Sequence, residues 1–96
     1  MSGKPIVWDQ NKNRANRTKH KIDFSEAADV FFDPLAVTVD DPEHSWNENR
    51  FVTIGETTKR KLIVVFYTEN EIELRIISAR KPTRSEILNY EQERRF

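Results

Sequence analysis

The sequence of 96 residues contains no cysteine, only two glycines and no long apolar run. Without cysteine there is no disulfide, no thiolate nucleophile and no cysteine-based zinc site, so the core and its hydrogen bonds must hold the fold, as suits a reducing cytoplasm. No window approaches roughly 18 consecutive apolar residues, and no apolar stretch precedes a small-residue cleavage site near Met1. We therefore expect neither a membrane span nor secretion. The length fits a single domain, residues 1–96.

Several catalytic motifs are also missing. The sequence has no Gly-rich phosphate loop, no G-x-S-x-G and no H-E-x-x-H. His20 and His44 have no partners at metal-ligand spacing, so we expect no cofactor. The stretch from Asp40 to His44 crowds three carboxylates and an imidazole, but carboxylates in a loop are usually just solvated. We therefore predict no dedicated metal site.

The charges of the chain balance, yet they are segregated. Residues 1–21 carry six Lys or Arg against one Asp, and residues 22–49 carry eight Asp or Glu with no Lys or Arg. Two further basic segments, residues 50–61 and 80–96, are separated by the mildly acidic residues 62–79. Such segments produce local fields although the total charge is zero. If folding brings the three basic segments together beside the turn in the middle one, they form a site for a polyanion.

The first half of the chain predicts a short strand followed by two helices. Ile6-Val7-Trp8 is β-branched and aromatic, which is typical of a strand. Asp9 is a plausible N-cap for a polar helix at residues 10–20. Asp23-Phe24-Ser25-Glu26 has capping-box spacing, and the apolar residues that follow it share one helical face until Asp33-Pro34 ends the helix.

The rest of the chain is rich in strands. Residues 35–39 alternate as a short strand, and the acidic residues 40–48 are typical of a loop. Three β-rich runs with short polar connectors then have the spacing of an antiparallel meander, at Arg50 to Thr57, Lys61 to Thr68 and Ile72 to Arg80. We expect Leu62 to Phe66 to be the central strand, because it is apolar on both parities. In the last run, alternate side chains are expected to be buried on one face of the sheet, namely those of Ile72, Leu74 and Ile76.

A capping box, Thr83-x-x-Glu86, predicts a C-terminal helix. Its few large apolar contacts are expected to be Ile87, Leu88 and Tyr90. The elements together predict an α+β fold, with a small mostly antiparallel sheet, two N-terminal helices and one C-terminal helix.

The basic, amide-rich residues 12–21 are a candidate for binding phosphate. On a helix, four of their side chains share one flank: Lys12, Asn16, Lys19 and His20. The plain alternative is a solvated surface helix whose C-terminal cations complement the macrodipole. His20 could equally be a half-buried residue that caps the last carbonyls of its helix. The pattern alone leaves these alternatives open.

A second basic cluster follows the third β-rich run. Arg75 lies among apolar neighbours, so it either pairs with a carboxylate such as Glu73 or Glu69 or faces a functional cleft. The others follow at the end of the strand and the start of the next helix: Arg80, Lys81 and Arg84. These cations could hold a phosphodiester, or they could form salt bridges to the acidic residues 22–49. Trp46 and Tyr67 could stack bases, although such residues are more often packing.

Five blocks of the sequence occur in a specific order: Ile6-Val7-Trp8-Asp9, Asn16-x-x-Lys19-His20-x-Ile22-Asp23-Phe24, Ala28-x-Val30-Phe31-Phe32-Asp33-Pro34, Arg50-Phe51-x-x-Ile54-Gly55, and Arg75-Ile76-Ile77-Ser78-Ala79-Arg80 with Thr83-Arg84-x-Glu86. Together they closely resemble the BrnT family, over about residues 5–91. Lys21 stands where that family usually has Gly, so Lys21 is expected to adopt a positive φ. The turns at residues 58–60 and at Asn70 also lack the expected Gly.

The resemblance implies a toxin of a type II toxin–antitoxin module with a RelE-like fold and a ribonuclease activity that halts translation. It also implies a ribbon-helix-helix antitoxin, BrnA, which forms a 2:2 heterotetramer with the toxin, covers its active face with a terminal segment, and carries the binding to operator DNA.

For such a ribonuclease, cleavage needs a base for the 2′-hydroxyl, an acid for the leaving oxygen and cations around the phosphorane, but no metal. We assign proton transfer to His20 with Lys19 as helper, and phosphate binding to Arg75 and Arg80. Glu56 or Glu69 is the fallback base. The flanking RNA would contact the more distant polar residues, Lys12, Asn16, Lys81 and Arg84. The competing functions are a nucleic-acid-binding module without catalysis and a structural subunit of a DNA-binding complex.

Overall fold

The structure is a computed structural model that describes residues 3–41 and 49–94 of the chain. One five-stranded sheet is formed by β1 (Ile6–Trp8), β2 (Val37–Asp40), β3 (Arg50–Glu56), β4 (Leu62–Glu69) and β5 (Leu74–Arg80). Three helices accompany the sheet: α1 (Gln10–His20), α2 (Phe24–Ala28) and α3 (Arg84–Arg94). A short 3-10 helix, Asp29–Phe32, continues α2. The α+β class is confirmed.

The strands lie in the order β1-β5-β4-β3-β2. Strands β2 to β5 pair antiparallel, which confirms the predicted meander, and β4 is the central strand of the sheet. Its residues Ile63, Val64 and Val65 are all buried, as expected for a strand covered on both faces. The first strand, β1, pairs with β5 in parallel, and the chain between them contains both N-terminal helices and the other three strands.

A β-bulge in β5 changes which of its side chains are buried. Phe66 lies opposite Ser78, but Tyr67 lies opposite Ile76, so β5 contains one extra residue, Ile77. The bulge shifts the alternation by one residue, and Ala79 is therefore fully buried together with Leu74 and Ile76. The strict alternation expected for this run was wrong after Ile76. The expectation for Ile72 was also wrong, since it precedes the strand and is 75% exposed.

Polar side chains fix the ends of the helices. Asp9 caps α1 by accepting a hydrogen bond from the backbone N–H of Lys12 at 2.9 Å. Helix α1 ends at Lys21, which has the expected positive φ of 62° and donates its backbone N–H to the Arg17 carbonyl. Thr83 and Glu86 form the predicted capping box, with reciprocal hydrogen bonds of 3.2 and 2.8 Å. Arg60, in the turn at residues 58–60 that lacks the expected Gly, also has a positive φ, of 66°.

The main core lies between one sheet face and the helices α1 and α2. Phe24, Ala27 and Val30 are fully buried there against the buried side chains of β4 and β5. Gly55 is required by this packing, because a Cβ there would lie 2.7 Å from a methyl carbon of Val30. Helix α3 contributes Tyr90, which is buried, but not Leu88, which is 53% exposed, so the expected contact by Leu88 was wrong.

No helix within residues 3–41 and 49–94 is long and apolar enough to cross a membrane. Most of the predicted acidic loop, residues 42–48, lies outside the described residues, as do Trp46 and His44.

Candidate functional site

An open depression of about 370 Å³ lies between α1 and the bulged part of β5. Helix α1 contributes Lys12, Ala15, Asn16, Lys19 and His20 to its lining, and β5 contributes Ile77 and Ser78. The grouping follows from helical geometry, since side chains three or four residues apart lie on one flank. The depression thus brings together the four residues of the basic α1 flank: Lys12, Asn16, Lys19 and His20.

Asn16 is the side chain that attaches α1 to the sheet. It is only 6% exposed, and its amide donates to the Ile22 carbonyl at 2.9 Å and accepts from the backbone N–H of Ala79 at 3.0 Å. Strand β1 pairs with β5 only as far as Ile76. Beyond that point, Asn16 accepts the hydrogen bond of the β5 backbone N–H that β1 no longer pairs. Asn16 is therefore a positioning residue that sets the distance between α1 and β5.

His20 is half-buried at the last position of α1. Its ring is not hydrogen-bonded to any other side chain or backbone group within the described ranges. Two carbonyls at this helix end are instead bonded by Lys21, whose backbone N–H donates to the Arg17 carbonyl and whose Nζ donates to the Thr18 carbonyl at 3.2 Å. The imidazole is consequently not a helix cap, and both of its nitrogens remain available to a ligand in the depression.

Lys12 and Lys19 lie on the exposed rim of the depression. Neither ammonium group forms an ion pair with a carboxylate in the part of the chain that the structure describes. Two cations without a local acidic partner, on the same helix flank as an imidazole, make the depression suitable for an anion such as a phosphodiester.

Arg75 and Arg80 lie on β5, on opposite sides of the residues that line the depression. Arg75 is half-exposed and pairs with Glu73 at 3.0 Å, one of the two carboxylates named as its possible partners. Arg75 and Arg80 pair with Thr68 and Val64 of β4, so at about 3.3 Å per residue of β4 their Cα atoms are about 13 Å apart along the strand. One arginine therefore lies at each end of the part of β5 that lines the depression.

Arg80 is held by α3 and by an aromatic ring. Both terminal nitrogens of its guanidinium bond the Glu86 carboxylate, at 2.8 and 2.9 Å, and its carbon lies 5.3 Å above the centre of the Phe66 ring. The hydrogen bond from Arg80 lowers the pKa of Glu86 to about 2, and the pKa of Arg80 is raised for the same reason. Both groups stay charged at neutral pH. The partner of Arg80 thus lies in α3, not in the acidic residues 22–49.

The remaining candidates lie outside the depression. Glu56, at the end of β3, lines a smaller depression with Asp29, Phe32 and Asp33. Arg84 is exposed at the start of α3. Lys81 lines a separate groove of about 570 Å³ that also contains Lys21 and Lys61.

That groove is where the three basic segments of the sequence meet. Each segment supplies one lysine, Lys21 from residues 1–21, Lys61 from 50–61 and Lys81 from 80–96. Because Lys21 directly follows His20, the groove and the depression each contain a residue from the end of α1. Lys21 and Lys61 were not among the predicted site residues. The charge segmentation was the signal that could have found them, whereas nothing in the sequence marked the bulge that brings Ile77 and Ser78 to the depression.

Two further candidates are settled or set aside. Tyr67 is 4% exposed, packs edge-on against Phe31 at 4.9 Å and bonds Thr53, so it belongs to the core and cannot stack a base. Glu43 and His44 of the acidic stretch lie outside the described residues. Among the residues that are described, no three His, Asp or Glu side chains are grouped to hold a metal ion.

Comparisons with known proteins identify the family of the chain. Residues 8–86 match the family model described as the ribonuclease toxin BrnT of a type II toxin–antitoxin system. The chain belongs to the BrnT toxin family. The match includes every residue of the depression and most of the sheet. BrnT proteins are ribonuclease toxins, and a type II toxin implies an antitoxin partner.

The fold is also found in a solved BrnT structure. The crystal structure of the Brucella abortus ribonuclease toxin BrnT superposes with a TM-score of 0.65 at 24% sequence identity, covering 84% of this chain and 99% of that one. No curated protein matches the sequence. The similarity establishes a BrnT fold.

Proposed function

We propose that this BrnT-family protein is a metal-independent endoribonuclease that cleaves RNA in the cytoplasm and thereby inhibits translation. The observation that carries this proposal is the depression, at which Lys12, Lys19 and His20 share one flank of α1 and the imidazole has no protein partner among the described residues. RNA needs little more than this, because its own 2′-hydroxyl is the nucleophile.

The proposed reaction transfers two protons and breaks one bond. A base removes the 2′-hydroxyl proton, the oxygen attacks the adjacent phosphorus, and the P–O5′ bond breaks to give a 2′,3′-cyclic phosphate and a 5′-hydroxyl. We assign the proton transfers to His20, since an imidazole exchanges protons at neutral pH. Lys19 stabilises the charge that develops on the phosphorane oxygens.

Arg75 and Arg80 bind the phosphates on either side of the cleaved one. This assignment follows from their separation along β5, which places one guanidinium at each end of the bulged region. Binding of RNA to Arg80 exchanges one anionic partner, the Glu86 carboxylate, for another, and guanidinium groups pair well with both. Lys12 contacts the RNA at the rim. Lys81 and Arg84 are not part of this proposal, because they follow Arg80 in the chain, where Lys81 lines the separate groove and Arg84 is exposed on α3.

The antitoxin is proposed to be a BrnA-like ribbon-helix-helix protein in a 2:2 heterotetramer with the toxin. Operator DNA is then bound only through the antitoxin. The support for this is the family match, because a type II toxin is neutralised by a protein partner.

The proposal is tested with purified protein, end-labelled RNA and an excess of EDTA. Wild type should cleave the RNA and leave cyclic phosphate ends, and His20→Ala should reduce the rate by about 100-fold or more. Glu56→Gln is the matched control, because Glu56 lies outside the depression. Loss of activity in Glu56→Gln with full activity in His20→Ala would show that the base is Glu56.

Two other outcomes would contradict the proposal. Cleavage that stops with EDTA and returns with Mg²⁺ would show a metal-dependent enzyme. Growth arrest on expression without any RNA cleavage would identify a binding module, and no arrest would favour a structural subunit.

A further inference from the structure

The groove beside the depression, which we call the lysine groove, combines a charged rim with an apolar floor. The rim consists of Lys21, Lys61 and Lys81, and the floor includes Ile22, Leu62 and Ile87. These residues come from the end of α1, the start of β4, the end of β5 and the first turns of α3. The groove is therefore a feature of the assembled fold and not of one segment.

The rim has an excess of positive charge. Glu26 is the one carboxylate that the described part of the chain contributes to the lining, and it pairs with Lys61 at 3.3 Å. Lys21 bonds only a backbone carbonyl through its Nζ. Within the described ranges, the Lys81 ammonium has no hydrogen-bond or ion-pair partner. Two of the three ammonium groups thus have no acidic partner in this part of the structure, and an acidic ligand would complement them.

The floor indicates what kind of acidic ligand fits. Ile22 is 5% exposed, Leu62 and Ile87 are half-buried, and no aromatic ring from the described residues lines the groove. RNA would place phosphates over aliphatic carbon and would find no ring for its bases to stack on. An apolar centre inside a polar rim is instead the arrangement of protein–protein interfaces. The groove therefore fits aliphatic side chains from a peptide with flanking carboxylates.

We propose that the lysine groove binds an acidic, aliphatic segment of the antitoxin, an inference that rests on the proposed toxin function. Lys21 follows His20 directly in the chain, so a segment bound in the groove lies beside the catalytic depression. Neutralisation then needs no contact with His20 itself, because the bound segment blocks the path of RNA across the end of α1.

The test uses the double variant Lys21→Gly/Lys81→Glu and the purified cognate antitoxin. Glycine suits the positive φ at position 21, and residue 81 is exposed, so the variant should fold. Arg14→Glu is the matched control, because Arg14 is an exposed cation on α1 that does not line the lysine groove.

Antitoxin affinity is measured by calorimetry, and RNA cleavage is measured with and without antitoxin. We expect the double variant to cleave RNA within about twofold of wild type, to bind antitoxin about tenfold more weakly or worse, and to need correspondingly more antitoxin for inhibition. Ile87→Ala should also weaken antitoxin binding, and Arg14→Glu should not. The affinity measurement remains valid even if the chain proves not to cleave RNA.

Three results would overturn the proposal. Antitoxin affinity could be unchanged in the double variant. RNA cleavage could fall while antitoxin affinity stays the same, which would assign the groove to RNA. Light scattering could show a wild-type dimer that the double variant dissociates, which would assign the groove to a second copy of the chain.

Discussion

Glu86 accepts hydrogen bonds from both terminal nitrogens of Arg80, and it also accepts one from the backbone N–H of Thr83 at 2.8 Å. One carboxylate therefore caps α3 and fixes a proposed RNA-binding guanidinium on β5. The two side chains are about a third exposed, at 32% and 31%. Solvent screening accordingly limits the contribution of the pair to stability.

The Arg80–Glu86 pair predicts a pH-dependent stability. The hydrogen bond from Arg80 lowers the pKa of Glu86 from the usual 4.5 to about 2. Because the folded-state pKa is the lower one, the stabilisation is complete above pH 4.5 and is lost as the pH falls towards 2. Glu86→Gln retains the capping acceptor but not the charge, and it should lower the free energy of unfolding by about 1 kcal/mol at neutral pH.

This prediction is measured by urea unfolding of wild type and Glu86→Gln at about pH 7 and about pH 3. The difference between the two proteins should shrink at the lower pH. Glu91→Gln, an exposed change on the same helix, should have little effect at either pH. A difference for Glu86→Gln that is equally large at both pH values would contradict the assigned pKa shift.

Because the amide of Asn16 forms two buried hydrogen bonds, we expect its substitution to lower the stability strongly although the residue is polar. Asn16→Ala leaves the Ala79 N–H and the Ile22 carbonyl without their buried partner, so we expect a loss of about 2 to 3 kcal/mol in unfolding free energy. Asn11→Ala, on the exposed side of α1, should change it by less than about 0.5 kcal/mol. Urea midpoints compare the two. Equal stability of both variants would show that the amide does not attach α1 to the sheet.

The sequence pattern was sufficient for features that depend on local chemistry. The capping box of Thr83 and Glu86 and the central position of β4 follow from spacing and hydropathy, and both were predictable. The resemblance to the BrnT family also made the left-handed conformation of Lys21 predictable, because a Gly is usual there. Each of these features leaves a signal within a few consecutive residues of the sequence.

Features that depend on distant parts of the chain were not predictable. Because of the bulge at Ile77, Ser78 and Ala79 lie on the opposite faces of the sheet from those that strict alternation predicts. No residue type in β5 indicates the bulge. Asn16 is a typical surface residue by type, yet the end of β1 leaves an unpaired N–H on β5 that Asn16 alone satisfies. The candidate site depends on the bulge and on the hydrogen bond of Asn16 to β5. The sequence therefore identified the cations of the site but not the β5 residues that line it.

The end of α1 predicts a stabilising substitution. Lys21 has a φ of 62°, where a side chain is strained and glycine is not. Lys21→Gly relieves that strain but makes the unfolded chain more flexible, so the expected net gain is about 0.5 kcal/mol. Lys21→Val should destabilise by about 1 kcal/mol or more, because β-branching disfavours this conformation most. Thermal unfolding measures both, and a more stable Val variant would contradict the left-handed geometry.

The separation of Arg75 and Arg80 along β5 predicts how they share RNA binding. If each contacts a different phosphate, the losses from Arg75→Gln and Arg80→Gln should add in the double variant to within about 0.5 kcal/mol. Each single change should also reduce the salt dependence of binding, the slope of log K against log salt, by about 0.7. Binding is measured by fluorescence anisotropy in a His20→Ala background, which prevents cleavage, and circular dichroism confirms the fold of each variant.

Arg14→Gln is the control for this series, because Arg14 is exposed on α1 but does not line the depression, and its slope should equal that of the parent. A double variant that loses no more affinity than either single variant would place both guanidinium groups on one phosphate. That result would require the long side chains to converge above Ser78, and β5 would then act as a clamp on the cleaved bond instead of a track for the strand.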